Sequence, residues 1–372
     1  MKKIGIITFH SAYNYGSVLQ AFATQECVKK LGFQPEILNY RLAEQKKVYS
    51  NLRISYGVKD LIRDITLLPM LRERNQKYAS FEKFFREKLI LSKEFSEPKE
   101  AKEIWKQYPT VISGSDQIWN KHAIELEHAA WKYMKPYLLE GYNGKKISYA
   151  SSTASMTQEE LERIKPFLLK FSHIAMREPS SSEKIGDLLG KQVESVLDPT
   201  FLLNKNDWIN ALQLQKKPNR HIVYYSLGGL KRFHAIKPVL EEISKREGCK
   251  IRLFMPFCYI VPNKMFEPHP ECGPIEFLQN IYQAKKVITD SYHGTILSVN
   301  FGKDVYSVCK NGGSEFRKTD ILKMLGMKDR IVTSPEQLVR KQFAPIDYQA
   351  VDAKLHELRT HSIPYLASAL EE

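Results

Sequence analysis

The most constraining feature of this chain is a regular alternation of short apolar runs with longer amphipathic stretches. In the first half the apolar runs fall at 4–9, 36–40, 110–113, 146–150, 173–176 and 195–197. Amphipathic stretches at 17–31, 158–171 and 180–189 lie between them and read as helices. Short apolar strands alternating with such helices are the pattern of parallel sheets covered on both faces. A polar, lysine-rich passage at 203–220, "LNKNDWINALQLQKKPNR", reads as a crossing, after which the alternation restarts. "HIVYYSLGG", "KIRLFM", "VITD" and "VYSVC" read as strands, and "HAIKPVLEEISKREG", "GPIEFLQNIYQAKK" and "HGTILSVNFG" as helices. The expectation is an α/β protein of two doubly wound, Rossmann-like domains facing a cleft, 1–205 and 206–347. The amphipathic piece 348–372 has no strand after it and is expected to pack back on the first domain. Ligands of such sheets bind beyond the carboxyl ends of the strands.

A chain of 372 residues accommodates two domains, and 43% hydrophobic with 26% charged residues is an ordinary globular profile. The run at 4–9 is among the longest apolar ones, too short for a membrane span or a secretory signal, so a cytoplasmic location is expected. Five cysteines form no CxxC pair, which favours reduced thiols. Cys258, His269 and Cys272 can be drawn as a partial metal site, but their spacing matches no zinc pattern and loop packing is the favoured reading. No metal or other cofactor is expected. With 56 basic against 42 acidic residues the net charge is +14, which favours anionic partners. Much of it lies in "KKVYSNLRISYGVKDLIRD" and "LRERNQKYASFEKFFREK", read as solvated helix faces or as a patch toward a polyanion or anionic membrane. No nucleic-acid-binding pattern is present, so nucleic acid is not an expected partner.

Three strand-end stretches can carry chemistry. "HSAYNYGSVLQAFATQ" has the strand–turn–helix shape of a phosphate loop, yet Gly16 is its only glycine and it lacks the P-loop lysine. There Asn14 or Ser11 can cap the helix while Gly16 admits close approach of a ligand or merely makes a tight turn. In "VISGSDQIWN", Asp116 can act as a general base toward an alcohol or cap a helix, and Trp119 offers a face on which sugar rings stack. In "VITDSYHGTILSVNFG", His293 follows Asp290 and Ser291 and precedes Gly294, where an imidazole can donate to phosphate or shuttle a proton. Arg177 in "IAMREPSS" suits bidentate binding of a carboxylate or phosphate, or pairing with Glu178 or another acid. Arg317 in "GGSEFRKTD" is a loop cation of the same type.

Taken together and in order, "NYGSVLQAFATQ", "VISGSDQIWN", "KISYASS", "REPSS", "VLDPTFLL", "ITDSYHGTILSVNFGK" and "ILKMLGMKDR" resemble the polysaccharide pyruvyl transferase family over about residues 3–335. The resemblance implies a GT-B-like fold and transfer of a pyruvyl group from phosphoenolpyruvate to two hydroxyls of a sugar, giving a pyruvate ketal. It places the activity in capsule or exopolysaccharide biosynthesis, with a lipid-linked saccharide as acceptor and a peripheral contact with the inner membrane face favoured by the charge. It implies His293 as catalytic acid and Asp116 as base. The donor would meet Arg177, Ser291, His293, Gly294 and Arg317, and the acceptor Asn14, Tyr15, Gly16, Asp116, Gln117 and Trp119. One departure stands out. Better-known members carry Arg-x-His at the donor site, where this chain has Ser291, Tyr292 and His293. The charge must then come from Arg317 or Arg177, with Arg330 a remoter candidate, or the donor is held differently. Two rivals remain: a nucleotide-sugar glycosyltransferase, with Glu276 as ribose partner, and a non-catalytic glycan-binding relative.

Overall fold

The computed structural model describes all residues except 43–60, 62, 63, 66, 127, 128, 218–220, 257, 259–263, 310–315, 341 and 342. The described strands pair into two six-stranded sheets in which every ladder is parallel. The first contains β1 (Lys3–Ile7), β2 (Gln34–Ile37), β3 (Thr110–Ser113), β4 (Lys145–Ser151), β5 (His173–Met176) and β6 (Glu194–Ser195), in the order β2-β1-β3-β4-β5-β6. The second contains β7 (His221–Tyr225), β8 (Lys250–Phe254), β9 (Phe266–Pro268), β10 (Lys286–Thr289), β11 (Asp304–Val308) and β12 (Ile331–Val332), in the order β12-β11-β10-β7-β8-β9. The sequence pattern does not show β9, of three residues ending in proline, or β12, of two.

Both sheets are wound in the same way. From β1 the chain adds β2 on one side, then crosses to build β3 through β6 on the other. From β7 it adds β8 and β9, then crosses to build β10 through β12. The strand order therefore reverses between β1 and β3 and again between β7 and β10. At such a reversal the connections leave on opposite faces, and the loops at the carboxyl ends part to leave a crevice.

Local chemistry explains the helices that flank these points. Asn14 caps the helix Tyr15–Lys30 by accepting from the Gly16 amide at 2.9 Å, and Lys29 and Lys30 complement its carboxyl end. Thr157 and Glu160 form a capping box at the start of the helix Gln158–Leu168. Gly190, in the left-handed region at φ 64°, ends the helix Pro179–Leu189. The first sheet packs through Ile7, Val111, Tyr137, Ile174 and Met176, and the second through Ile222, Tyr224, Phe233, Leu240, Ile251 and Ile288. Each such side chain contributes about 1.5–3 kcal/mol on burial.

The chain divides into two compact units, Met1–Ser50 with Phe85–Leu203 and Leu355–Glu372, and Asn51–Phe84 with Asn204–Lys354. The sequence pattern places residues 51–84 in the first half, whereas the described stretch 67–84 groups with the second unit. Gly273 lies so close to Ser80 that a Cβ would come within 2.5 Å of it. The basic stretch 46–64 lies almost wholly outside the described residues. Its companion is the helix Leu71–Lys88, which buries Phe81, Phe84 and Phe85 and is therefore more than a solvated face. The passage at 203–220 contains the helix Lys205–Leu212, with Trp208 fully buried. Among the described residues no helix is long and apolar enough to cross a membrane.

Two buried histidines make both units sensitive to acid. The ring of His10 meets Asn39 Oδ1 through Nε2 at 3.0 Å, and burial pushes its pKa down to about 4. The Nε2 of His221 meets the Asn280 carbonyl at 3.0 Å, and burial likewise holds it down at about 4. An unfolded imidazole titrates near ~6.5. Between these values the unfolded chain binds protons that the folded chain refuses, so stability rises with pH across the window and is lost as pH falls through it. Each histidine accounts for on the order of 3 kcal/mol over the full interval. Urea unfolding from about pH 7 down to about pH 4 should show this slope, and His10→Gln should flatten it.

Candidate functional site

At the first reversal, β1 runs into the loop 8–14 and β3 into "GSDQIWN". Gly114 has φ 133°, and a Cβ there would sit 2.0 Å from the Tyr149 carbonyl oxygen, so the turn needs glycine. The turn is bonded to both neighbours. Ser115 Oγ donates to the Ala150 carbonyl at 2.8 Å, the Ser152 amide to the Asp116 carbonyl at 3.0 Å, and Thr8 Oγ1 to the Ser115 carbonyl at 2.8 Å. These bonds hold Asp116 at φ 76°, a left-handed conformation that aspartate tolerates better than most residues. Its Oδ2 accepts from Ser17 Oγ at 2.9 Å and its Oδ1 from the Gln117 amide at 2.9 Å.

Arg177 follows β5, its amide donating to the Ser151 carbonyl at 3.1 Å. Its Nε donates to Glu178 Oε1 at 2.9 Å and its Nη1 to Asp198 Oδ2 at 3.1 Å, with Asp116 Oδ1 at 3.6 Å from Nη1. Asp198 Oδ1 in turn accepts from the amide and hydroxyl of Thr200. One guanidinium, 1% exposed, thus faces three carboxylates. Arg177 is paired with Glu178 and two further acids, so an anionic ligand would meet an acidic surround here. Trp119 departs from expectation. Its ring is fully buried, donates from Nε1 to the Tyr137 carbonyl at 3.0 Å and packs edge-on against Phe171, so it presents no face to a sugar. Of the other expected acceptor residues, Tyr15 and Gly16 are buried, while Asn14 and Gln117 are half-buried, the latter accepting from Asn120 Nδ2 at 3.0 Å.

At the second reversal, β7 runs into 226–229 and β10 into Asp290 and Ser291. Asp290 bridges the two loops. Its Oδ1 accepts from the Leu227 amide at 2.8 Å, and its Oδ2 accepts from Ser226 Oγ at 2.6 Å and from Arg232 Nη1. The Asp290 carbonyl accepts from Lys318 Nζ at 2.8 Å, and the same ammonium donates to the Val308 carbonyl at 2.9 Å. Ser291 caps the helix Tyr292–Asn300 by accepting from the Gly294 amide at 3.3 Å. His293 lies in the first turn of that helix, 8% exposed, with its ring edge-on to Tyr292. A Cβ on Gly294 would meet Thr289 Oγ1 at 2.5 Å and the Tyr225 ring at 2.7 Å, so glycine lets this helix start close against β7 and β10.

The remaining expected residues are placed as follows. Arg317 is half-buried in the first turn of the helix Phe316–Met324. Arg330 is buried against Asp304, at the start of β11, so it lies at the opposite end of the sheet from His293. Glu276 Oε2 accepts from the Gly273 amide at 3.1 Å and closes the capping box of its own helix. Ligand atoms of His269, Glu271 and Cys272 lie within 4.8 Å of one another, with His269 Nδ1 and Glu271 Oε1 at 3.0 Å. Sequence reasoning gave no role to Ser17, Asp198, Arg232 or Lys318. Arg232 had a visible signal, the "GGLKR" run after a strand, but the helix was expected to begin at His234 rather than at Leu230.

The family model described as polysaccharide pyruvyl transferase matches residues 14–308. Comparison with curated proteins gives no match. Among solved structures, the chain is similar to UDP-GlcNAc 2-epimerase from Methanocaldococcus jannaschii, with TM-score 0.52 and 11% identity over 97% of this chain and 100% of that one. It is also similar to S. aureus MnaA in a co-structure with UDP, with TM-score 0.50 and 10% identity over 98% of this chain and 92% of that one. Such identities speak to the fold alone, and two parallel six-stranded sheets with flanking helices are GT-B-like. The acid cluster of the first unit gives a direct test of its organisation. Arg177→Met leaves three buried carboxylates without their cation and should cost about 3–5 kcal/mol in chemical unfolding.

Proposed function

The chain belongs to the polysaccharide pyruvyl transferase family, and from that membership we propose that it moves the pyruvyl group of phosphoenolpyruvate onto two hydroxyls of a sugar, leaving a pyruvate ketal. The observation that carries the reading is His293, presented in the first turn of a helix beyond the carboxyl end of β10, where the strand order reverses. Charge supports a division of labour between the units. The first has three carboxylates around Arg177, one of which, Asp116, can accept a proton from a hydroxyl. The second has His293 with Arg232 and Lys318 close to the same turn, the better match to a donor carrying both phosphate and carboxylate.

In this proposal His293 donates a proton to the methylene carbon of phosphoenolpyruvate, which becomes the methyl group, and the central carbon becomes electrophilic. A sugar hydroxyl forms a C–O bond at that carbon and gives its proton to Asp116. The C–O bond to phosphate then breaks, a second hydroxyl closes the ketal, and its proton leaves with the phosphate. Ser291 and Gly294 set the turn that presents His293, and Arg317 stands on a neighbouring helix as a further cation. Asn14 and Gln117 are proposed to meet the acceptor, a sugar of surface polysaccharide assembly carried on a lipid. The +14 charge supports a peripheral contact of the protein with an anionic membrane.

The test is release of inorganic phosphate from phosphoenolpyruvate across a panel of free and lipid-linked saccharides, with mass detection of the ketal. His293→Ala and Asp116→Asn should each lower turnover by roughly 100-fold or more while the protein stays folded by circular dichroism. Full activity in either variant overturns its assigned role. Thermal stabilisation by UDP or GDP sugars, with none by phosphoenolpyruvate, would favour the nucleotide-sugar alternative.

A further inference from the structure

The second unit contains a cation whose position is not explained by helix stability. Arg232 lies in the first turn of the helix Leu230–Glu247, and that turn contains no acidic residue. The amino-terminal end of a helix dipole is positive, so a cation there is disfavoured and a carboxylate would be preferred. The side chain folds back across the β7 loop. A Cβ on Gly228 would come within 2.6 Å of Arg232 Cδ, so glycine at 228 makes room for it. Its Nη1 reaches Asp290 Oδ2, three residues before His293. The two partners differ in exposure, since the Asp290 side chain is 3% exposed and that of Arg232 is 30% exposed. The carboxylate thus stays inside the loop junction, where it also receives Ser226 and the Leu227 amide, while the Arg232 side chain is partly exposed.

A second cation meets the backbone of the same residue. Lys318 is buried, and its ammonium donates to the neutral carbonyls of Asp290 and Val308, joining the ends of β10 and β11. Among the described contacts of residue 290 there are thus two cations and one carboxylate, the reverse of the balance around Arg177. A guanidinium presents its donors in a planar fork that matches carboxylate and phosphate oxygens.

We propose that Arg232, held at the strand-order reversal by Asp290 and backed by Lys318, binds the anionic end of the enol-phosphate donor beside His293. The inference rests on the pyruvyl-transfer reading and adds the residue that recognises the donor. Asp290 positions the guanidinium and tempers its charge. That gives the two members of the ion pair opposite effects on an anion, which a purely structural pair would not have.

The experiment is calorimetric titration of the full chain with phosphoenolpyruvate without acceptor, alongside thermal unfolding and phosphate release. Arg232→Gln should weaken phosphoenolpyruvate binding by roughly tenfold or more, and Arg232→Lys should recover part of that loss. Asp290→Asn keeps an oxygen to accept from the Leu227 amide but removes the negative charge, and it should bind phosphoenolpyruvate at least as tightly as the unmodified protein. Unaltered binding in Arg232→Gln overturns the inference and leaves pyruvyl transfer standing. Equal weakening in Arg232→Gln and Asp290→Asn, with matching losses of thermal stability, also overturns it by assigning the pair to loop support. If the unmodified protein neither binds phosphoenolpyruvate nor releases phosphate from it, the pyruvyl-transfer reading fails, and the inference fails with it.

Discussion

In each unit an aspartate spans the gap where the strand order reverses, and the surrounding site is arranged around that contact. Asp116 joins the end of β3 to the start of the helix Tyr15–Lys30 through Ser17. Asp290 joins the end of β10 to the β7 loop through Ser226 and the Leu227 amide. At a reversal the two connections diverge, so the strand ladder no longer holds their loops together. A buried carboxylate accepting several hydrogen bonds replaces that support with charge-assisted contacts, which are about twice as strong as neutral ones. It also fixes an ionised group at the place where ligands of this fold bind.

The two units use this device with opposite electrostatic results. Around Asp116 the neighbouring acids outnumber the single guanidinium of Arg177, so the carboxylates share one cation. Asp290 meets two cations, Arg232 on the carboxylate and Lys318 on the backbone carbonyl. A duplicated winding pattern thus carries two chemically different edges. The difference is made by residues next to the shared feature, not by the feature itself.

Much of the architecture was legible because parallel strands advertise themselves as apolar runs. β3 and β5 have the bounds that the sequence pattern suggests, and the other long strands differ by only a few residues. The glycines at 114 and 294 were likewise visible as strand-end punctuation. What the pattern could not show was the direction of side chains. Trp119 follows a candidate acid in a loop, which suggested an exposed ring, yet the chain turns it into the core beneath Phe171. Arg177 sits at a strand end, as a ligand-binding arginine would, but its partners Asp116 and Asp198 come from distant parts of the sequence. Lys318 was hidden for the opposite reason, since a lysine beside an arginine reads as surface until its ammonium is found between two carbonyls.

The route of the chain also bears on how the protein is made. Strands β1 through β6 are all synthesised by residue 195, but Leu355–Glu372, which holds most of the helix Tyr348–Glu371, completes their unit. The Leu197 amide donates to Ser362 Oγ at 3.0 Å, and Lys2 Nζ donates to the Leu370 carbonyl at 3.0 Å. Leu355, Leu366 and Leu370 are buried there. At about 5–20 residues per second, the 151 residues of Asn204–Lys354 take roughly 8–30 seconds to emerge. Throughout that interval the unit begun first lacks its last apolar cover, so the unit begun second is finished before it. Until Leu355–Glu372 reaches it, the sheet of the unit begun first stands without the apolar cover of Leu355, Leu366 and Leu370.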